Sequence, residues 1–265
     1  MEQPLITVKY SQEQSPIESH FHDGHQLIYV VQGSARITVS EKTYQATPGT
    51  LVLISRLESH AICEKTRDYC RYTVQIAPEV FRYQEFLGEK LFSLLVNRPE
   101  QFRHAVDMPQ AQCILEQMEA EEAANQPMKE NMQLFLLCQL LLLCCREYPE
   151  QLPENARNLK LMQKIQGHIE KHMTQRITLE DLAAQFHMSQ SYLSHLFKDI
   201  TGNSVIGYLT AYRLLMAKRY LAETDWEIGR IVEECGFSDN SNFSRTFKKT
   251  TGLSPSEFRK QYQNF

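Results

Sequence analysis

The chain has 265 residues, enough for about two domains with separate hydrophobic cores. Its 42% hydrophobic and 23% charged residues are ordinary for a globular protein and exclude a disordered or fibrous one. The net charge of -4 is too small to indicate a partner until it is divided by region.

The cysteines and the hydropathy of the chain indicate the cellular compartment in which it is expected to work. The seven cysteines are odd in number and include no Cys-x-x-Cys pair, which argues against a disulfide framework and a zinc knuckle. We therefore expect a reducing, cytoplasmic compartment. The most apolar segment, residues 134–145, is far shorter than the roughly 20 residues of a membrane span. With no secretory signal at the N-terminus, no membrane partner is expected.

Residues 1–78 are predicted to form a small β-barrel. Three runs of β-branched and aromatic residues, at 26–31, 35–40 and 50–55, are separated by glycine and proline. Short strands with closely spaced turns are typical of a barrel or a sandwich.

Residues 79–148 are predicted to be helical. Two long helices are expected at about 110–125 and 129–147, with Pro127 between them. The second helix has a wide apolar face that either packs within the chain or serves a second copy, so we expect homodimerisation through this segment. Its apolar residues are Leu134, Leu136, Leu137, Leu140, Leu141, Leu143 and Cys144. The thiols of Cys144 and Cys145 lie in this stretch and are expected to be buried and inert.

Residues 149–157 are polar, contain two prolines and show no periodicity, which is typical of a linker. Beyond them, residues 158–265 carry 14 basic and 11 acidic residues, whereas residues 1–157 carry 14 and 21. This asymmetry permits a nucleic-acid partner for the C-terminal part.

One pattern occurs twice in the C-terminal part, as SYLSHLFKDITG at 191–202 and as SNFSRTFKKTTG at 241–252. Six of the twelve positions are identical, and Leu193 and Phe243 are a conservative match. The copies lie 50 residues apart, which indicates a duplicated structural unit.

A short amphipathic helix and a tight turn precede each copy. The apolar stripes of these helices are Leu179, Leu182, Ala183 and Phe186, and Ile228, Ile231, Val232 and Cys235. Thr178 with Asp181, and Thr224 with Glu227, are the predicted capping boxes. The pattern predicts two helix-turn-helix units.

The predicted units span about 178–200 and 227–250, within an all-α domain over 158–265. A continuous helix at about 206–221 would hold their second helices at a fixed separation. If both enter one face of a duplex, that separation is close to one turn, roughly 34 Å.

The second helix of each unit has a short, polar outer face that could enter a major groove about 12 Å wide. The candidate base contacts are Ser191, Tyr192, Ser194 and His195 in the first unit and Asn240, Ser241, Ser244 and Arg245 in the second. Lys198, Lys248 and Lys249 follow one turn later, where they would either meet phosphates or form a solvated face.

Over about residues 170–263 the chain resembles the C-terminal module of the AraC/XylS family of bacterial transcription regulators. The linker pattern RLLMAKRYL (213–221) and the run GFSDNSNFSRTFKKTTGLSPSEFR (236–259) carry the resemblance. It implies a ligand-responsive, sequence-specific DNA-binding regulator, with activation the more common behaviour. The implied partners are promoter DNA, a small-molecule effector, a second copy of the chain and RNA polymerase.

The first 78 residues are similar to the cupin-like barrel that this family often pairs with that module. By position, His20, His22, Gln26 and His60 match the metal-binding set of enzymatic cupins. A neutral amide at Gln26 removes a charge that would help to hold a cation. We therefore predict no metal and no other cofactor, and instead an effector pocket at the barrel mouth. The alternative is that the histidines only satisfy turns near the barrel mouth.

Strand parity adds Ile28 and Val30 to the inward face of that pocket and places Tyr29 on the other face. His25 and Arg36 are further candidates for effector binding.

The sequence therefore predicts an α+β chain of two domains that acts as a regulator and not as an enzyme, so no catalytic residue is assigned. One alternative is a metal-dependent cupin enzyme or metal sensor that uses the four positions above. Another is a DNA-repair methyl acceptor, which needs a reactive or zinc-bound cysteine cluster that the seven cysteines do not offer.

Overall fold

The computed structural model describes residues 4–13, 15–40, 42–83, 87–96, 102–152 and 157–263, and every structural statement below concerns these residues. The chain divides into two compact units, one of residues 1–159 with 199–202 and the other of residues 160–198 with 203–265. No helix in the described part of the chain has the length and apolar character that crossing a bilayer requires.

The described strands of the N-terminal unit form two antiparallel sheets. Their bounds are β1 (Ile6–Ser11), β2 (Ile17–His20), β3 (His25–Gln32), β4 (Ala35–Val39), β5 (Lys42–Ala46), β6 (Thr50–Ile54), β7 (His60–Cys63), β8 (Cys70–Ile76) and β9 (Ala105–Asp107). One sheet has the order β1-β8-β3-β6-β9 and the other β2-β7-β4-β5. We call this flattened barrel the β-unit.

The two sheets face each other across an apolar core. Ile28 and Val30 of β3 and Ile37 and Val39 of β4 all belong to one buried cluster in that interior. Tyr29 lies on the opposite face of β3, where its hydroxyl donates to the Pro109 carbonyl at 3.3 Å. The prediction from strand parity is confirmed for β3.

The segment predicted as wholly helical also contributes a strand. β9 pairs with β6, with Val106 opposite Leu51, so the sheet continues beyond residue 78. A three-residue strand is too short to show the alternation that marks a strand in a sequence.

The rest of that segment is helical. It contains a 3-10 helix (Pro78–Tyr83) and helices α1 (Glu89–Val96), α2 (Ala111–Ala124) and α3 (Lys129–Glu147), followed by a 3-10 turn (Pro149–Gln151). α2 and α3 confirm the two long helices predicted from the sequence. Residues 153–156 of the predicted linker lie outside the described residues.

Helix α3 presents two apolar faces. The face found in the sequence is buried, with Leu137, Leu140 and Leu141 at 0% exposure, and it packs within the chain. A second stripe is exposed, and it consists of Met128, Met132, Phe135 and Leu142. We call these four residues the α3 stripe. None of these four residues belongs to the apolar face that was predicted from the sequence.

Of the two α3 cysteines expected to be buried and inert, Cys144 is buried and Cys145 is half-buried. Burial raises the pKa of Cys144 to about 12 and that of Cys145 to about 11. Both thiols are therefore protonated near neutral pH, and a redox role needs the thiolate.

The C-terminal unit is helical throughout its described residues. Its helices are α4 (Arg157–Lys171), α5 (Leu179–Gln185), α6 (Gln190–Thr201), α7 (Val205–Glu223), α8 (Ile228–Glu234), α9 (Asn240–Thr251) and α10 (Pro255–Tyr262). α5 with α6, and α8 with α9, are two helix-turn-helix units, and α7 joins them. The α+β, two-domain fold class is confirmed.

Side-chain caps fix several of these helix starts. The Thr178 hydroxyl accepts the N–H of Asp181 at 3.1 Å at the start of α5. At α10, Ser254 and Glu257 form a reciprocal capping box.

The predicted box of Thr224 with Glu227 is wrong. α7 extends to Glu223, so Thr224 is the C-cap of that helix, and its hydroxyl donates to the Tyr220 carbonyl at 2.7 Å. Glu227 is instead the N-cap of α8, where its side chain makes no cap hydrogen bond.

Both turns pass through a left-handed residue shortly after their first helix. This residue is His187 in the first unit, with φ 56°, and Gly236 in the second, with φ 72°. A Cβ at Gly236 would lie 2.6 Å from the carbonyl oxygen of Met173 and 2.7 Å from the Cα of Thr174. Glycine is therefore required at 236 by both dihedral angle and space, whereas the left-handed residue of the first turn carries a histidine side chain.

This difference predicts unequal effects of two substitutions. We expect Gly236→Ala to lower the free energy of unfolding of the C-terminal unit by more than about 1–2 kcal/mol, the cost of the left-handed conformation alone. His187→Gly should stay within about 1 kcal/mol of wild type, because relief of strain offsets the freer unfolded chain. The single tryptophan, Trp226, lies in this unit, so its fluorescence during urea unfolding measures both. Wild-type stability of the Gly236→Ala protein would contradict the packing described here.

Candidate DNA interface and histidine cluster

Helices α6 and α9 bury equivalent faces. Leu193 and Phe197 of α6, and Phe243 and Phe247 of α9, are all at 0% exposure. These are matching positions of the repeat, so both helices are anchored in the same way. The opposite faces are therefore equivalent too.

The predicted DNA contacts lie on those opposite faces. Exposed side chains are Ser191, Tyr192, Ser194, His195 and Lys198 on α6, and Asn240, Ser241, Arg245, Lys248 and Lys249 on α9, while Ser244 is half-buried. Hydroxyl, amide and guanidinium groups can bond base edges, and the lysines can bond phosphates.

Asn242 is a member of this surface that the sequence analysis missed. Its Oδ1 accepts a hydrogen bond from Nη2 of Arg245 at 3.4 Å, one helical turn away. Its backbone N–H is donated to the carboxylate of Asp239, the N-cap, at 2.7 Å. Asn242 thus orients the one arginine on the exposed face of α9. The signal available in the sequence was the position of Asn242 three residues before Arg245, a spacing that places both side chains on one face of a helix.

Helix α7 is a rod of 19 residues, about 28 Å long at 1.5 Å per residue. Near its start, Tyr208 meets Phe197 of α6 edge-on, with ring centroids 5.4 Å apart. The Tyr208 hydroxyl donates to Oε1 of Glu170 in α4 at 2.7 Å. These contacts fix α7 against the first helix-turn-helix unit.

Arg213, in the middle of α7, contacts segments of both helix-turn-helix units. Its Nε donates to the Met173 carbonyl at 2.7 Å and its Nη2 to the Gln175 carbonyl at 2.9 Å, in the loop that precedes α5. The same guanidinium lies 6.0 Å from the ring centroid of Phe237, in the turn of the second unit. Burial lowers the pKa of Arg213, but an arginine in a protein stays charged.

In the β-unit, three histidines meet at one end of the interior. β2 pairs with β7 so that His20 lies opposite His60, and His60 alternates with the core residue Ile62. The ring centroid of His60 lies 4.3 Å from that of His20 and 5.0 Å from that of His22. One ring nitrogen from each histidine lies within 4.8 Å of the other two.

Each ring is oriented by a nearby carbonyl. Nδ1 lies 2.9 Å from the Glu18 oxygen in His20, 3.1 Å from the Gly24 oxygen in His22 and 3.1 Å from the Glu58 oxygen in His60. Burial, together with the neighbouring His22 and His20, lowers the pKa of His60 to about 3. His60 is therefore neutral at pH 7.

The other effector-pocket candidates are placed differently. Gln26 is buried and precedes Ile28 on the inward face of β3, while Ile28 and Val30 lie deep in the apolar core. His25 lies on the opposite face of β3 from Gln26, and its Nδ1 is 3.0 Å from the Leu95 carbonyl oxygen. Arg36 is exposed and pairs with a glutamate, Glu64. His25 and Arg36 are thus removed from the inward-facing set.

Two helix-turn-helix units with equivalent exposed polar faces, together with a β-unit that carries an inward-facing histidine cluster, define a class of two-domain DNA-binding regulators. Residues 6–136 match the family model of the AraC-like ligand binding domain, and residues 182–261 match that of a helix-turn-helix domain. The chain belongs to the AraC family of transcription regulators.

Two sets of relatives agree with this assignment. The chain is 27% identical over 257 residues to the HTH-type transcriptional activator RhaS of Escherichia coli, which covers 95% of this chain and 91% of RhaS. Its fold is similar to that of ToxT from Vibrio cholerae, with a TM-score of 0.68, 12% identity and 98% of both chains covered. A wild-type ToxT structure with an unsaturated fatty acid bound gives a TM-score of 0.65, 15% identity and coverage of 98% and 97%.

The bonds of Arg213 predict a large effect for its removal. Arg213→Ala should lower the free energy of unfolding of the C-terminal unit by about 2–3 kcal/mol, because two charge-assisted hydrogen bonds are lost in a half-buried place. Arg213→Lys should recover less than half, since an ammonium lacks the planar fork.

The control is Arg219→Ala, on the same helix. Arg219 is exposed and pairs with Glu223 at 3.0 Å, so its loss should cost less than about 0.5–1 kcal/mol. Trp226 fluorescence during urea unfolding measures all three variants. Equal losses for Arg213→Ala and Arg219→Ala would contradict a joining role for Arg213.

Proposed function

We propose that the protein is a transcriptional activator whose two helix-turn-helix units read adjacent major-groove segments of promoter DNA under the control of a small-molecule effector. The equivalent anchoring of α6 and α9 is the observation that carries this proposal. Because the repeat buries the same positions in both helices, their polar faces are presented in the same way. One subunit then contributes two contacts with the groove.

The length of α7 agrees with this mode of binding. A helix of about 28 Å is comparable to the roughly 34 Å between successive major grooves on one side of a duplex. Tyr208 and Arg213 attach α7 to the helices and turns around it. The fixed spacing would select for DNA sites with one helical turn between half-sites.

The two recognition helices contribute unequally to sequence recognition. α9 exposes Arg245 with its partner Asn242, and an arginine in the major groove bonds guanine in bidentate geometry. α6 exposes short hydroxyl side chains and Tyr192, which is 51% exposed. We assign most base discrimination to α9, and phosphate and apolar contacts to α6.

Arg245 gives a direct test of base reading. We expect Arg245→Ala to lose about 1–3 kcal/mol of binding to a cognate duplex, selected from random sequences with the full chain, and little binding to random DNA. Lys249→Ala is the matched control, because loss of a phosphate contact should weaken both DNAs alike and reduce the salt dependence. Fluorescence anisotropy at two salt concentrations measures both. An equal loss on cognate and random DNA for Arg245→Ala would show that Arg245 contacts phosphate only.

The α3 stripe is our proposed homodimer interface, and it lies on the helix that the sequence analysis selected. Met132, Phe135 and Leu142 are 49%, 62% and 49% exposed, at spacings of three and seven residues. This is the heptad spacing of a coiled-coil seam. The exposed Gln139 continues the same spacing, and a single polar residue in such a seam sets register. A second copy of α3 would cover these apolar side chains.

A charge in this stripe is expected to separate the dimer. The double variant Phe135→Asp, Leu142→Asp should sediment as a monomer at concentrations where the wild type sediments as a dimer, because two buried carboxylates would face an apolar seam. Ala123→Asp, on the exposed side of α2, should leave the mass unchanged. A monomeric wild type, or a dimer that survives both aspartates, would contradict this interface.

The effector and further partners follow from the family. RhaS is named as an activator, and ToxT binds an unsaturated fatty acid in one structure. We propose that the β-unit of this chain binds its own small-molecule effector, that the regulator works in the cytoplasm where its promoters are, and that it contacts RNA polymerase there. We keep the prediction that the chain is not an enzyme. The repair alternative needs a reactive or zinc-bound cysteine cluster, whereas the one group of side chains found among the described residues that could hold a metal ion consists of three histidines.

A further inference from the structure

We propose that His20, His22 and His60 bind one divalent transition-metal ion of the zinc class in the β-unit. This site goes beyond the proposed regulatory function, and it can be tested without DNA or effector. Three observations carry it, namely the convergence of the three rings, the orientation of each ring and the kind of ligand that they form together.

The rings converge closely enough to share one ion. A nitrogen of each lies within 4.8 Å of the other two, and this is the only such group of histidine, cysteine or acidic side chains found among the described residues. Nitrogens bound to one tetrahedral zinc are separated by about 3.3 Å, given bonds of about 2.0–2.1 Å. Small side-chain rotations would close the remaining distance.

The carbonyl contacts fix which nitrogen can bind. A carbonyl oxygen only accepts hydrogen bonds, so the Nδ1 of each ring must carry the proton. In a neutral ring the lone pair is then on Nε2. Histidines that ligate metals are held in this way, with the other ring N–H donated to a carbonyl or carboxylate. All three rings share the arrangement, although their carbonyl partners come from three different places in the chain.

The cluster would be costly without a cation. Nitrogen lone pairs that are brought together repel each other unless a proton or a metal ion lies between them. A metal ion bound to one nitrogen of each ring would offset this repulsion.

The ligand chemistry indicates the metal class. Imidazole nitrogen suits zinc, copper, iron and nickel, whereas magnesium and calcium prefer oxygen. Gln26, which led the sequence analysis to predict no metal, is buried on the inward face of β3, and its Oε1 makes no hydrogen bond among the described residues. An amide oxygen is a neutral ligand, so the site would keep the full 2+ charge. Such a site would favour an anionic group at an open coordination position.

The experiment uses the full-length protein after chelator treatment and dialysis. Titration with Co²⁺ should produce the visible absorption of a bound ion at one equivalent, and Zn²⁺ should displace it. Calorimetric titration with Zn²⁺ should give the same stoichiometry. Absence of both signals in the wild type would overturn the proposal and make the histidine cluster purely structural.

Variants then identify the ligands. His20→Gln, His22→Gln and His60→Gln should each weaken Zn²⁺ binding by more than about 100-fold, the upper range for loss of a second-shell partner. His172→Gln, in the C-terminal unit, is the matched control and should bind as the wild type does. Circular dichroism checks that each variant is folded. Unchanged binding in all three barrel variants would place the metal elsewhere and overturn the assignment.

Gln26→Glu tests the fourth position. A carboxylate there should tighten Zn²⁺ binding by about tenfold or more, because it adds the missing charge to the ligand set. Unchanged or weaker binding would remove Gln26 from the site. DNA binding by the same proteins is measured separately, so a negative result for the metal leaves the regulatory function untouched.

Discussion

The geometry of the C-terminal unit depends on the guanidinium of Arg213. It bonds the loop before α5 and lies against the turn between α8 and α9, so the middle of α7 is attached to both helix-turn-helix units. The same close packing explains Gly236. A Cβ there would meet the Met173 carbonyl and come within 3.0 Å of Nη2 of Arg213. The left-handed residue of the first turn, His187, carries a side chain at the corresponding place.

Most of this unit could be predicted from local signals in the sequence. The contacts made by long-range packing could not. The Ser254 capping box and the buried faces of α6 and α9 depend on residues within about one helical turn of each other. The repeat is visible as identity between two segments, so a single sequence contains all three features. The role of Arg213 depends on carbonyls 38 and 40 residues away, and a sequence carries no signal for such contacts. Thr224 was misassigned because α7 continues two residues past the predicted end, which turns an N-terminal residue into a C-terminal one.

In the N-terminal unit, too, local features could be predicted from the sequence and long-range pairings could not. The alternation of β3 is local, so the inward placement of Ile28 and the outward placement of Tyr29 were predictable. β9 is defined only by its pairing with β6, which the sequence does not contain. The apolar residues of α3 were evident, but whether a neighbouring element or a second copy covers them depends on the rest of the fold. The structure divides them into a buried face and the α3 stripe.

The filling of the β-unit restricts where it can recognise a small molecule. Apolar side chains occupy the interior from both sheets, including Ile28, Ile37 and Ile54 at 1% exposure or less. Polar side chains that could select a ligand include the three clustered histidines and, on the inward face of β3, Gln26. His20 and His22 are only half-buried, so they are accessible to solvent, unlike the apolar core. Neutral histidine and glutamine side chains carry no charge that would distinguish anionic from cationic small molecules. The same side chains around a metal cation would select anions. If the histidines hold a metal ion, the proposed effector of this unit is expected to be an anion.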